Sequence, residues 1–207
     1  MKIITKHSIV EKLRIPLSQL FVVLLLGLIA FSSSAWEEFA PFMSAIIFFV
    51  GAVLVAIASL GRLWCSLYIA GYKTRKVVTE GPYSLCRHPL YFFSLLGAVG
   101  VGLASETFLI PTIILIAFTI YYPYVIKSEE AELKKLHGEK YKSYINTTPT
   151  FFPKISYLIE PKEYNVNPII FRKHVFSALW FVWLIGILEL IEEFHTMGII
   201  PVLFKIY

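Results

Sequence analysis

The segment at residues 77–91 has the sequence Val77-Val-Thr-Glu-Gly-Pro-Tyr-Ser-Leu-Cys-Arg-His-Pro-Leu-Tyr91 and leads from a polar stretch into an apolar one. Pro89 suits the first turn of a helix, because its φ angle is already helical and its missing N–H would have no partner there. The sequence therefore predicts that a membrane helix begins at this proline, with Arg87 and His88 at its mouth. Such polar groups are costly to desolvate at a membrane boundary, so they point to a small-molecule site.

The composition indicates an integral membrane protein. The 207 residues are 57% hydrophobic and 16% charged, whereas soluble domains carry about 25% charged residues, and the mean hydropathy is +0.70. This length predicts one compact bundle over residues 1–207. All fourteen acidic residues are Glu, which excludes any site that requires Asp. Cys65 and Cys86 fall on the predicted cytosolic side and show no metal-ligand spacing, so neither a disulfide nor a metal site is predicted.

Five apolar segments predict an all-α bundle of about five transmembrane helices. They cover residues 17–36, 42–60, 90–105, 107–126 and 175–191.

Two features of this pattern lie outside the five spans. Arg62 and Trp64 are predicted to mark the end of the second span at headgroup depth, and the sequence leaves open whether that helix continues through residues 63–72. The polar stretch 127–173 is predicted to contribute a small cytosolic cofactor-binding subdomain. Residues 160–207 form a helical C-terminal segment to which the sequence assigns no role.

The distribution of basic residues predicts the orientation of the bundle. Eighteen of the nineteen Lys and Arg residues lie in residues 1–15, 62–89 and 127–173, which the five-span pattern places on one side of the membrane. By the positive-inside rule, the N-terminus and both polar stretches face the cytosol. The net charge of +5 is therefore an orientation signal, and no nucleic-acid partner is inferred.

A second polar cluster occurs where the fourth span ends. Residues 127–138 are predicted to form a helix that leaves the membrane and stops at Gly138. Glu129 and Glu130 at its start repel each other, and are expected to pair with a ligand or a cation. An alternative is that these acids only complement the helix dipole. With Arg87 and His88 on the same predicted side, the sequence favours a site.

Several motifs in this order resemble one family. They are Gly81-Pro82-Tyr83, Arg87-His88-Pro89, Tyr91, Glu129-Glu130, Leu133, Gly138, Tyr141-x-x-Tyr144 and Pro149-x-Phe151-x-Pro153.

This run of motifs, within a core at about residues 60–155, resembles the integral membrane methyltransferases of the isoprenylcysteine carboxyl methyltransferase and phospholipid N-methyltransferase superfamily. Arg62, Trp64, Gly71 and Arg75 are similar to its bacterial branch. The resemblance implies S-adenosylmethionine as methyl donor at the cytosolic face, S-adenosylhomocysteine as product, and a lipid or lipidated acceptor from the bilayer. No obligate protein partner is inferred.

The resemblance also implies roles for individual residues. Arg87 would lie near the reacting centre and orient a carboxylate acceptor, and Glu130 could accept the proton of an amine acceptor. For the glycines near residue 100, helix packing is an equally good interpretation. The implied cofactor contacts are Val78, Tyr83, His88, Tyr91, Gly100, Gly102, Glu129 and Glu130.

Four functions remain open from the sequence. Carboxyl O-methylation of an isoprenylcysteine-like acceptor is favoured, and N-methylation of a phosphatidylethanolamine-type lipid is the alternative within the same chemistry. A non-enzymatic transporter or lipid-binding scaffold is a different class, against which the gathering of polar groups at one face counts. A membrane reductase with a nicotinamide cofactor is the fourth, and no glycine fingerprint follows a strand to support it.

Overall fold

The computed structural model describes residues 9–72 and 75–207, with side chains from residue 16 onward. The predicted cytosolic placement of Lys2, Lys6 and Lys73 lies outside these residues. The helices are α1 Ile9–Ala30, α2 Ala35–Phe39, α3 Pro41–Ile69, α4 Pro82–Leu85, α5 Pro89–Ala104, α6 Leu109–His137, α7 Glu139–Thr147, a 3₁₀ turn Ile155–Tyr157, α8 Pro168–Ala178 and α9 Trp180–Thr196.

Three helical stretches are long and apolar enough to cross a bilayer. They are α3, α6 and the consecutive pair α8–α9, each 29 residues long. The Pro16–Ala30 part of α1 and the 16-residue α5 are also apolar but shorter. At 1.5 Å per residue, α5 spans about 24 Å against a hydrocarbon core of about 30 Å. A helix thus covers most of each predicted segment, and among the described residues three helical stretches meet the length criterion for a span.

The bounds of helix α3 show that the second predicted helix continues past residue 60, a point that the sequence left open. It continues without interruption to Ile69, so Arg62 and Trp64 lie within the helix and do not end it. Their location at headgroup depth stays a prediction. Gly61 lies inside the helix, where it serves packing, because a Cβ atom there would overlap the ring of Phe93.

Helices α3 and α5 form the centre of the bundle. A Cβ atom on Gly51 would lie 2.6 Å from the carbonyl oxygen of Gly100, so the two backbones approach closely only because both residues are glycine. Below this crossing, Val55 and Val101 pack with Leu184 of α9 in the main apolar core. The C-terminal segment therefore completes the bundle.

The all-α prediction holds for most of the described chain, and the exception is a two-stranded parallel sheet. Strand β1 (Ser32–Ser34) pairs with β2 (Phe204–Ile206), with Ser32 opposite Phe204. The first span was predicted to run to residue 36, but α1 ends at Ala30. These last residues thus join the loop that follows α1, and the predicted helical segment 160–207 is α-helical only over Pro168–Ala178 and Trp180–Thr196.

The polar end of the bundle is built by α6, α7 and the segment after α7. Helix α6 extends past its apolar part and ends at Gly138, whose φ of +53° favours glycine, as predicted. Residues 149–159 then run across residues 81–88. The Arg87 N–H donates to the Pro149 carbonyl at 2.8 Å, and the Gly81 N–H to that of Ile159 at 2.8 Å. These bonds fix the segment that precedes α5.

Candidate active site

The two polar clusters predicted from the sequence meet in the structure. Glu130 Oε1 accepts a hydrogen bond from Arg87 Nε at 2.9 Å and lies 3.1 Å from His88 Nε2. Glu129 Oε2 accepts from the Tyr91 hydroxyl at 2.7 Å and lies 3.9 Å from His88 Nδ1. Residues about forty positions apart in the chain therefore form one network between the start of α5 and the polar extension of α6.

Helix geometry arranges the aromatic groups of this network. His88 is the N-cap of α5 and Tyr91 follows three positions later, so both side chains lie on the same face. Their rings are stacked, with centroids 5.7 Å apart and planes at 11°. The His88 N–H donates to the Thr150 carbonyl at 3.1 Å, which fixes the start of the helix.

The Arg87 side chain connects helix α6 to the end of α7 and the loop after it through hydrogen bonds. One terminal nitrogen donates to the carbonyls of Ile145 and Thr148 at 2.9 and 3.0 Å, and the other donates to Thr150 Oγ1 at 2.6 Å. With the bond to Glu130, four of its five N–H groups are engaged. These bonds hold the guanidinium within the protein, and the predicted contact of Arg87 with a carboxylate acceptor stays a prediction.

The two glutamates differ in how far they are engaged. Glu130 holds two donors on a single oxygen, and its side chain is 21% exposed. Glu129 is 31% exposed, and its one short bond is to Tyr91. Since a carboxylate has about four acceptor positions, Glu129 retains more capacity for a ligand.

Tyr83 and Val78 lie next to this network in an apolar cluster with Cys65 and Tyr68. The Tyr83 hydroxyl is buried and, within the described part of the chain, has no hydrogen-bond partner. Its carbonyl accepts from the Tyr144 hydroxyl at 2.6 Å. Burial raises the pKa of Tyr83 well above its ordinary value, so the side chain stays a neutral donor.

Cys86 is close to the network but unsuited to nucleophilic chemistry. It is fully buried and free, as is Cys65. Burial raises the pKa of the Cys86 thiol to about 12, which leaves little thiolate at neutral pH.

Gly100 and Gly102 lie apart from the network. Gly100 is twelve residues after His88 along α5, which corresponds to about 18 Å. A Cβ on Gly100 would meet the Gly51 carbonyl at 2.8 Å, and one on Gly102 would meet the Pro111 nitrogen at 2.9 Å. Helix packing accounts for both glycines, and their contact with a cofactor stays a prediction.

A cavity of about 580 Å³ opens on the other side of α4. The network residues do not line it. Its wall contains many hydroxyl groups, a feature that sequence reasoning missed, although the run of Ser and Thr ahead of Pro149 was a signal for it. The lining residues are Thr79, Ser84, Lys140, Ser143, Tyr144, Thr147, Thr148, Ser156, Tyr157, Leu158 and Ile159.

The chain belongs to the phospholipid methyltransferase family, within the superfamily of membrane methyltransferases that also includes the isoprenylcysteine enzymes. The model of that family matches residues 42–140, a range that contains both polar clusters.

Two relatives cover most of the chain. The cobalt-zinc-cadmium resistance protein CzcN of Cupriavidus metallidurans is 35% identical over 90% of this chain and 85% of its own. The nickel-cobalt-cadmium resistance protein NccN of Alcaligenes xylosoxydans xylosoxydans is 35% identical over 91% of this chain and 84% of its own. No solved structure matches the chain. Among the described residues, no three His, Cys or Glu side chains are grouped so as to hold a metal ion.

Proposed function

We propose that this protein transfers a methyl group from S-adenosylmethionine to a lipophilic acceptor in the membrane. The family membership supports methyl transfer, and the network of His88, Tyr91, Glu129 and Glu130 supports a donor site at this end of the bundle. By the distribution of basic residues, this end and the N-terminus face the cytosol.

The residues present fit such a donor. The spare acceptor capacity of Glu129 suits the ammonium group or the ribose diol. The stacked rings of His88 and Tyr91 offer flat surfaces to the adenine, or to the sulfonium by cation–π attraction. Tyr83 and Val78 supply a buried apolar wall beside them.

When bound, the donor supplies an electrophilic methyl group on a positively charged sulfur. The chain aligns that methyl with the acceptor, and the buried wall of Tyr83 and Val78 keeps water from it. The carboxylate of Glu130, held by Arg87 and His88, orients the start of α5 relative to α6.

These contacts favour carboxyl O-methylation over N-methylation. A carboxylate acceptor requires no base, whereas an amine acceptor must lose a proton. Glu130 was the predicted base, but it carries two charge-assisted bonds on one oxygen, which stabilise its ionised form against protonation. N-methylation of a phosphatidylethanolamine-type lipid remains the second candidate, with Glu129 as the freer carboxylate.

The test is methyl transfer by the purified protein. It would be incubated with S-adenosylmethionine labelled in its methyl group and a bacterial lipid extract, and label in the lipid fraction would be counted. We expect label with the unmodified protein and with Glu132→Ala, a control on the same helix outside the network, and at least tenfold less with His88→Ala. Equal transfer by all three variants would contradict the assignment of the site.

A second step distinguishes the two acceptors. Mild alkali releases label from a methyl ester as volatile methanol, whereas an N-methyl group is retained on the non-volatile headgroup. We expect volatile label, and retained label would favour the amine acceptor.

The names of the two relatives also suggest a physiological setting. Both are named as metal resistance proteins, and we extend this to the present chain as a role of the methylated product in tolerance to cobalt or cadmium. A deletion strain should grow less well in cadmium, and a His88→Ala copy should fail to restore growth. Full restoration by that copy would separate resistance from methyl transfer.

A further inference from the structure

Arg62 is a cation inside the bundle that the proposed chemistry has not used. It lies 21 residues into α3, about 32 Å from the helix start. One terminal nitrogen of its guanidinium donates to Ser94 Oγ of α5, and the other donates to the hydroxyl and the carbonyl of Ser177 in α8 at 3.1 and 3.4 Å. It also lies 5.5 Å from the ring centre of Phe181. Because Ser94 is less than two turns into α5, Arg62 lies near the end of the bundle that carries His88.

Among the side chains that the structure describes, residues 16–72 and 75–207, no carboxylate pairs with Arg62, in contrast to Arg87, which has Glu130. The Arg62 Nε atom is buried and lacks a hydrogen-bond partner there. Hydroxyl groups solvate a guanidinium but do not neutralise it, and an uncompensated charge within a membrane bundle is costly. This environment therefore favours the arrival of an anion.

The position of Arg62 connects it to the proposed donor site. Arg62 and Cys65 are three positions apart on α3 and share a face, and Cys65 packs against Tyr83. The Tyr83 hydroxyl, like the Ser59 hydroxyl three positions before Arg62 on α3, is a buried polar group without a partner among the described residues. The apolar cluster of Cys65 and Tyr83 thus connects the unsatisfied Arg62 donor to the unsatisfied Tyr83 hydroxyl.

We propose that Arg62, with Ser94 and Tyr83, binds the anionic group of the methyl acceptor, a carboxylate or a phosphate on an amphiphile. This inference rests on the proposed function, and names the charge of the acceptor and the residue that recognises it. Arg87 is the less suitable cation, because four of its N–H groups are engaged within the protein. The rings of Phe93 and Phe181 supply apolar surface beside Arg62 for the start of a hydrocarbon chain.

The experiment measures binding of three twelve-carbon probes that share a chain and differ in charge: dodecyl phosphate, dodecanoate and dodecanol. Each is titrated calorimetrically into the full-length protein in detergent, in the presence of S-adenosylhomocysteine. The variants are Arg62→Gln and, as a matched control, Arg172→Gln, which removes an exposed arginine from α8.

We expect the unmodified protein to bind at least one anionic probe about tenfold or more tightly than dodecanol, as a charge-assisted bond in a buried site allows. Arg62→Gln should abolish this preference and leave dodecanol binding unchanged, and Arg172→Gln should retain it. The preferred anion identifies the source, because a carboxylate indicates an acyl or prenyl-amino-acid acceptor and a phosphate indicates a phospholipid.

Equal binding of all three probes by the unmodified protein would overturn the inference. So would an intact anion preference in Arg62→Gln. Titration with S-adenosylhomocysteine alone keeps the two hypotheses separate, because loss of that binding counts against the proposed function and not against the anion site. If Arg62→Gln does not fold, Ser94→Ala and Arg62→Met decide, and an unchanged preference in both would contradict the proposal.

Discussion

At the scale of single residues, the Tyr83 hydroxyl distinguishes a structural from a ligand-binding role. It is buried without a partner, so its removal should cost no internal hydrogen bond. We expect Tyr83→Phe to leave the melting temperature unchanged or slightly raised, and to weaken binding of donor or acceptor by about tenfold. Thermal unfolding and calorimetry on the same preparation would check this. A marked loss of stability with unchanged binding would show that the hydroxyl serves the fold.

For Arg87, in contrast to Tyr83, we expect substitution to lower the stability of the protein. Its planar guanidinium donates hydrogen bonds to Glu130 and to the carbonyls of Ile145 and Thr148. Lysine cannot reproduce that geometry. We expect Arg87→Lys to reduce the free energy of unfolding by about 2–4 kcal/mol, the usual effect of disrupting a buried ion pair. Unfolding followed by circular dichroism is the measurement. A variant of unchanged stability with reduced turnover would instead place Arg87 at the acceptor.

At the scale of helices, a substitution at the crossing of α3 and α5 tests whether Gly100 serves helix packing or contacts the cofactor. An alanine there would place its Cβ 2.8 Å from the backbone oxygen of Gly51, which cannot move aside easily. We expect Gly100→Ala to destabilise the protein by about 1–3 kcal/mol. Gly186→Ala in α9 is the control, because nothing lies within 4 Å of the added atom. An unchanged melting temperature with lost donor binding would favour cofactor contact.

Local chemistry predicted the helix boundaries well where a single residue decides them. Pro89 opens α5, and Gly138 ends α6 with a positive φ. The continuation of α3 past Arg62 could not be predicted in the same way, because its partners Ser94 and Ser177 come from distant helices. The pairing of Ser32 with Phe204 was likewise beyond local pattern, since a two-stranded sheet has little sequence signal and depends on where the chain end lies.

At the scale of the whole molecule, the membrane orientation can be tested with cysteine labels. Both native cysteines are buried, so background labelling should be low. We expect an exposed cysteine placed by Lys140→Cys to react with a membrane-impermeant maleimide only in inside-out vesicles, and one placed by Glu193→Cys to react only in intact spheroplasts. The reverse pattern would place the network on the external face and contradict the cytosolic assignment.

The candidate site was predictable because its residues are chemically unusual for their positions. Charged groups at the mouths of two helices drew attention to His88 and Glu130, and the basic residues placed them on one side. The partners of Arg87 at the end of α7 and just after it were not predictable, because they are main-chain carbonyls, which any residue supplies. The lack of a carboxylate partner for Arg62 among the described side chains could not be predicted either, since it is visible only in three dimensions.

The central claim is that residues from two distant segments hold one methyl donor, and calorimetric titration with S-adenosylhomocysteine tests it most directly. The detergent-purified protein and Glu132→Ala should bind it with the same affinity. Glu129→Ala and His88→Ala should each weaken binding by about tenfold or more, and the double variant should lose less than the sum of the two, because Glu129 and His88 act on one ligand. No measurable binding by the unmodified protein, or full binding by both single variants, would contradict the account.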